Sequence, residues 1–162
     1  STQSGAVRVM VTSLGLMRLG QEVSVKKLTS WEQSFHRFLA ENRDRPFKWG
    51  EWDCVSFANA AIKAITGEEI MPKTLQWHDE ESAKIAIKEY GGTLTRCVKK
   101  AALLKGLVRR QPEEAQKGDI VIITENKNRM VGICDGYAVV CPSDEGHSLK
   151  PKSSIRMVLA IE

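Results

Sequence analysis

PFKWGEWDC, residues 46–54, is the stretch that decides how this chain folds, because it leads directly into a helical pattern. Asp53 is a favourable N-cap residue, and the apolar residues after it recur at helical spacing as far as Gly67, a typical C-terminal stop. Cys54 therefore lies in the first turn of a helix, where free backbone N–H groups favour an anion and lower the pKa of a thiol. The sequence predicts a candidate nucleophile behind an aromatic, glycine-containing loop.

The bulk composition is that of a folded domain with an ordinary core. The chain has 162 residues, 42% of them hydrophobic and 27% charged, with a net charge of +4. Its basic residues are scattered among acids, so no nucleic-acid partner is expected. No apolar run is long enough for a membrane span, and the N-terminus lacks the order of a signal peptide.

The four cysteines show no CxxC pairing, so neither a metal site nor any other cofactor is expected. Cys134 and Cys141 could approach each other across a hairpin, but buried free thiols are the favoured interpretation. Free thiols indicate synthesis in a reducing cytoplasm.

The chain divides into a short N-terminal segment and one domain. Residues 1–28 have strand character without a clear partner strand, and two interpretations stay open. The segment is either an extended arm that docks on a neighbouring subunit or one or two strands added to the domain's own sheet. Residues 29–162 form the domain.

Within the domain, helical patterns come first and short strands follow, which predicts an α+β fold. Thr29 and Glu32 have the spacing of a capping box at the start of the first helix. The stretch 142–151 is predicted to be a loop. The predicted helices cover residues 29–42, 53–66, 80–90 and 93–105, and the predicted strands cover 118–123, 130–134, 137–141 and 155–161.

Three motifs together resemble a known superfamily: W-G-x-x-D-C-x-x-F-A at 49–58, G-D-I-V at 118–121 and V-G-I at 131–133. They are similar to the NlpC-type papain-like peptidases, which cut the stem peptides of peptidoglycan. The first motif is more closely similar to a phage- and prophage-borne branch usually found among tail genes. The resemblance covers residues 30 to 161. It implies a papain-like fold, in which N-terminal helices carry the cysteine at a helix N-terminus and pack on an antiparallel, barrel-like β-meander.

The resemblance implies a nucleophile at Cys54 and a histidine base where Met130 stands. A thioether cannot accept a proton from a thiol near neutral pH. Substitutes are His147, in the predicted loop near two carboxylates, and His78, at the expected cleft rim. His36 is expected at the surface.

The residues around the candidate nucleophile have structural interpretations as well. Asp53 is expected to cap the helix, and Gly50 to permit a tight turn. Trp49 and Trp52 are either cleft walls or core residues. The core is favoured for Trp49, and Trp52 stays open.

The favoured function is a structural or interaction protein of a phage tail or tail tip, built on a degenerate peptidase domain. Such a pseudoenzyme would be made in the host cytoplasm and would assemble with other virion proteins as a homo- or hetero-oligomer. The alternative is an active cell-wall cysteine amidase or endopeptidase, in which Cys54 attacks an amide and His147 or His78 acts as base. A third interpretation is a module that binds wall peptide without cutting it.

Overall fold

A computed structural model describes residues 24–162 of the chain. Most of the expected N-terminal arm, residues 1–28, therefore lies outside the described residues. The four α-helices are α1 (Trp31–Glu41), α2 (Cys54–Thr66), α3 (Glu80–Tyr90) and α4 (Leu94–Leu104). The six strands are β1 (Val108–Arg110), β2 (Ile120–Glu125), β3 (Asn128–Cys134), β4 (Val139–Ser143), β5 (Gly146–Lys150) and β6 (Ile155–Ala160).

The predicted caps are confirmed for α2 and wrong for α1. Asp53 accepts hydrogen bonds from the first turn of α2, and Gly67 ends that helix in the left-handed region at φ +85°. The first helix begins at Trp31 after Ser30, whose side chain makes no capping hydrogen bond, so the expected capping box is absent. None of the described helices is long and apolar enough to cross a membrane.

The strands form one antiparallel sheet in the order β1-β6-β2-β3-β4-β5. The α+β class is thereby confirmed. The prediction of a loop over residues 142–151 is wrong, because β4 and β5 pair there as a hairpin in which Pro142 faces His147. Strand β1, which pairs with β6, was not predicted.

Apolar side chains fill both faces of the sheet. The helix-side core lies between the sheet and α2, and includes Phe57, Val131 and Val140. The far-side core lies on the opposite face and includes Cys134 and Cys141. Adjacent strand residues alternate between the two cores, as the pleat requires. The register of the β2–β6 ladder shifts at residue 156, so the residues before and after this position do not follow one continuous alternation.

Residues 24–28 pack on the domain. Val25 is 3% exposed, lies in the helix-side core and donates its N–H to the carbonyl of Lys105. The Leu28 N–H donates to the carbonyl of Ile65. The folded part of the chain therefore begins before the expected boundary at residue 28.

Candidate functional site

The carboxylate of Asp53 organises the start of α2. It is 1% exposed and accepts hydrogen bonds from the backbone N–H groups of Gly50, Val55 and Ser56 at 2.8–3.1 Å. The Trp77 indole N–H donates to it at 2.6 Å. Asp53 thus joins the preceding loop, the helix start and the segment after α2, as its predicted capping role requires.

Gly50 meets its predicted role as well. Its φ is +82°, and a Cβ there would lie 2.2 Å from the Trp77 carbonyl oxygen. A side chain at this position would push Trp77 away from Asp53. The turn therefore needs glycine both for its conformation and for its space.

The Cys54 thiol is protonated at neutral pH, contrary to the sequence prediction. Burial, with a contribution from the adjacent Asp53 charge, raises the pKa of the Cys54 thiol to about 11. The backbone amides of Val131, Cys54 and Val55 lower this pKa, but the effect of burial is larger. A protonated thiol is a poor nucleophile.

On β3, the side chain of Val131 lies on the same face of the sheet as Cys54. Met130, expected at the position of the missing base, packs against the far-side core, whereas Val131 and Cys54 belong to the helix-side core. Neither a thioether nor an isopropyl group can accept a proton. Neither residue 130 nor residue 131 of β3 therefore offers a base to this thiol.

The His147 ring packs on Phe57 at 5.4 Å between ring centroids. Its Nε2 is buried without a hydrogen-bond partner, and burial lowers the pKa of the imidazole. Within residues 24–162, no hydrogen bond joins this ring to the Cys54 sulfur. The ring contact that His147 makes on α2 is with Phe57, three residues after Cys54.

The other two histidines lie at the surface. The His78 ring contacts the Ser82 hydroxyl at 3.4 Å and the Asp79 carboxylate at 3.5 Å, at the start of α3. His36 is exposed on α1, as predicted. The structure brings neither ring to Cys54.

The core position favoured for Trp49 is wrong, and Trp52, whose role was left open, is a core residue. Trp52 is 3% exposed and contacts Phe38 and Phe57 in the helix-side core. Trp49, for which the core was favoured, is 37% exposed and contacts Phe47 edge-on. Trp49 and His78 line one shallow surface depression.

The loop before α2 is fastened to the β4–β5 hairpin. The His147 N–H donates to the Arg43 carbonyl, and the Phe47 N–H donates to the Ser143 carbonyl, both at 2.8 Å. Gly146 has φ +106°, and a Cβ there would lie 2.5 Å from the Arg43 carbonyl oxygen. The loop therefore sits directly on the hairpin that carries His147.

A cavity of about 430 Å³ lies on the Asp53 side of the helix start. Asp53, Ser56, Asn59, Glu69 and Trp77 are among its lining residues, and Cys54 is not. Among residues 24–162, no group of three or more histidine, cysteine or acidic side chains could hold a metal ion.

Comparison with known proteins identifies one family. The family described as Domain of unknown function (DUF6950) matches residues 26–161. The chain belongs to this family. No curated protein matches it significantly.

The sequence did not predict the contacts of three residues in this region. Trp77 binds the cap carboxylate, Phe57 supports the His147 ring, and Cys141 donates its S–H to the Val131 carbonyl at 3.7 Å. The contact of Cys141 could have been anticipated from Pro142. A proline inside a strand has no N–H, so it leaves a carbonyl on the neighbouring strand free to accept another donor.

Proposed function

We propose that this DUF6950 chain is a non-catalytic structural or interaction component of a phage tail, built on a papain-like domain of the NlpC type. The observation that carries the proposal is the state of Cys54. Its thiol has a pKa of about 11 and no imidazole partner among the described residues. A cysteine hydrolase needs a thiolate and a base within hydrogen-bond reach.

The surroundings of Cys54 also support a packing role for the sulfur. Cys54 lies against the helix-side core, and the loop before it is hydrogen-bonded to the β4–β5 hairpin. The 430 Å³ cavity lies on the other side of Asp53. Cys54 is not among the residues that line this cavity.

An interaction role is supported by large apolar side chains at the surface. Tyr137 is 89% exposed at the β3–β4 turn, and Leu149 is 66% exposed on β5, an edge strand of the sheet. Ile85 and Leu104 are 54% and 60% exposed on α3 and α4. Edge strands and exposed apolar residues are the features through which domains associate with other chains.

The proposal is tested by locating the chain. Particles purified on a density gradient from an induced lysogen of the source strain would be separated into head and tail fractions. Mass spectrometry is expected to find the chain in the tail fraction at a fixed ratio to a known tail protein. Detection only in the soluble lysate would contradict the proposal.

An active cysteine amidase is the second candidate, and one observation favours it. His147 contacts Phe57, which follows Cys54 by one helical turn, and its Nε2 has no partner. Movement of the hairpin toward the helix start would bring the ring closer to the sulfur. Release of peptides from purified peptidoglycan by the wild-type chain, but not by Cys54→Ala, would establish this function instead.

A further inference from the structure

One stretch of the chain carries basic residues and no acidic ones. It covers residues 91–112, which include α4, the turn after it and β1, and α4 contacts β1. Its cations are Arg96, Lys99, Lys100, Lys105, Arg109 and Arg110. The whole chain has 24 basic and 20 acidic residues, so acids are common elsewhere and absent from this stretch.

Helix α4 places its apolar side in the core and its cations at the surface. Its buried residues are Cys97, Val98, Ala101 and Ala102. Arg96 and Lys100 are exposed, and Lys99 is half-buried. The helix is therefore amphipathic, with a surface that is purely basic among its charged groups.

Two exposed leucines lie in the last turn of α4. Leu103 is 46% exposed and Leu104 is 60% exposed. They follow Lys99 and Lys100 by four residues each, so each leucine lies beside a lysine on the helix surface. Two adjacent leucines gain nothing from contact with water, and solvation of the lysines does not account for them.

Most of the cations in this stretch have no acidic partner. Arg110 lies 3.7 Å from Glu162, and the Lys100 ammonium donates to the Tyr90 carbonyl at 3.0 Å. Within residues 24–162, four of the cations make no salt bridge: Arg96, Lys99, Lys105 and Arg109. Their charge is available to an anionic partner.

The basic surface continues past the end of α4 toward the end of α2. Lys105 and Lys73 line one depression of about 410 Å³, and Lys73 makes no salt bridge to any described residue. Two acids line the depression as well, and one of them, Glu69, lies 3.6 Å from Lys63. The α4 surface is defined by Arg96, Lys99, Lys100, Leu103, Leu104 and Lys105.

From this combination of unpaired cations and exposed leucines we infer that the α4 surface binds the face of a bilayer that contains anionic phospholipids. Anionic headgroups attract cations held near the membrane, and apolar side chains beside them enter the boundary between headgroups and acyl chains. A nucleic-acid backbone would attract the cations without burying the leucines. The inference does not rest on the proposed function, because it needs neither a virion nor Cys54.

The test floats the full chain with lipid vesicles on a density gradient. One set of vesicles is pure phosphatidylcholine, and in the other set phosphatidylglycerol replaces one third of it. The chain should float with the anionic vesicles and stay behind with the neutral ones. Raising the salt from about 0.1 M to about 0.5 M should weaken the binding, because salt screens the charges. Equal flotation with both sets, or flotation with neither, would overturn the inference.

Two variants separate the roles of the charges and the leucines. Lys99→Gln/Lys100→Gln should weaken binding to the anionic vesicles by about 10-fold or more, since each cation near an anionic surface contributes about fivefold. Leu103→Gln/Leu104→Gln should weaken it by about 10-fold or more, because the apolar contact with the bilayer is lost. Glutamine keeps a high helix propensity, and thermal unfolding checks that both variants are folded.

Matched controls remove the same groups elsewhere. Lys127→Gln/Arg129→Gln removes two exposed cations from the β2–β3 turn, and Leu149→Gln removes an exposed leucine from β5, at the opposite edge of the sheet from β1. Both controls should bind the anionic vesicles like the wild type. Losses as large as those of the α4 variants would show attraction by net charge alone and overturn the inference. Wild-type binding by Leu103→Gln/Leu104→Gln, together with binding to duplex DNA, would assign the surface to nucleic acid instead.

Discussion

The His147 imidazole packs on the phenyl ring of Phe57, with ring centroids 5.4 Å apart and the planes inclined at 72°. Phe57 follows Cys54 by one turn of α2 and belongs to the helix-side core, so the imidazole contacts a core residue. Its backbone N–H is fixed to the Arg43 carbonyl. In this arrangement His147 holds the β4–β5 hairpin against the loop before α2.

Replacing His147 with glutamine should reduce the loss of unfolding free energy that the wild type shows between pH 7.5 and pH 5.5. Burial lowers the folded-state pKa of His147 below its ordinary 6.5, so the unfolded chain takes up the proton more readily. The wild type should therefore lose stability as the pH falls from about 6.5 through the folded pKa. Urea unfolding at pH 7.5 and 5.5 measures the difference.

The exposed His36→Gln variant is the control and should keep the wild-type slope. Asp44 and Arg43 are the charged groups that act on the His147 ring, in opposite directions. An unchanged slope in His147→Gln would contradict the buried neutral imidazole.

Cys54 should react slowly with iodoacetamide. A shift of its pKa from 9.0 to about 11 reduces the thiolate fraction at pH 7.5 by about 100-fold. The greater nucleophilicity of a more basic thiolate offsets about one power of ten. The rate should therefore be at least about 10-fold below that of free cysteine.

Peptide mass spectrometry after timed labelling measures this rate at Cys54. It should rise with pH throughout the range from 7 to 10. The urea-unfolded chain serves as the control and should react at the free-cysteine rate. Faster reaction at Cys54 than at free cysteine at pH 7 would show an activated nucleophile.

Asp53→Ala should destabilise the chain by about 3 kcal/mol, because buried backbone donors at the helix start and the Trp77 indole lose their acceptor. Asp79→Ala is the matched variant, since Asp79 caps α3 through the same box with a serine three residues on. It is exposed and should cost much less. Equal losses in urea unfolding would show that Asp53 acts only as a local cap.

Trp52→Ala should cost about 3–5 kcal/mol, as expected for removal of a buried aromatic side chain. Trp49→Ala should cost about 1 kcal/mol or less, since Trp49 is partly exposed. Trp52→Phe should recover most of the loss, because the buried indole N–H has no hydrogen-bond partner to lose. Thermal unfolding of the three variants checks this ranking, and a greater loss for Trp49→Ala would reverse the assignment.

Local features of the sequence were enough to predict α2 and the residues at which it begins and ends. Asp53 and Gly67 act on backbone groups within four residues, so their roles can be predicted without knowing the fold. The strand Gly146–Lys150 was missed although its pairing with β4 is a local hairpin, and only its contact at Arg43 depends on tertiary structure. His147 consequently looked like a free loop residue, although its ring is part of the aromatic packing.

The electrostatics of Cys54 could be predicted only in part. The helix N-terminus is visible in the sequence, and it favours a thiolate. The opposing effects are the burial of the sulfur and the charge of Asp53. Which residues bury the sulfur depends on how α2 lies on β3, and one sequence does not give that packing. The wrong prediction for Trp49 has a similar cause, because the loop before α2 has no regular alternation of buried and exposed residues.

Peptidoglycan hydrolysis tests the central claim most directly. Purified peptidoglycan would be incubated with the wild type, Cys54→Ala and His147→Gln, and newly released amino groups would be counted over time. We predict that all three chains release amino groups at the rate of the buffer control. Release by the wild type alone, with loss in Cys54→Ala, would contradict a non-catalytic domain.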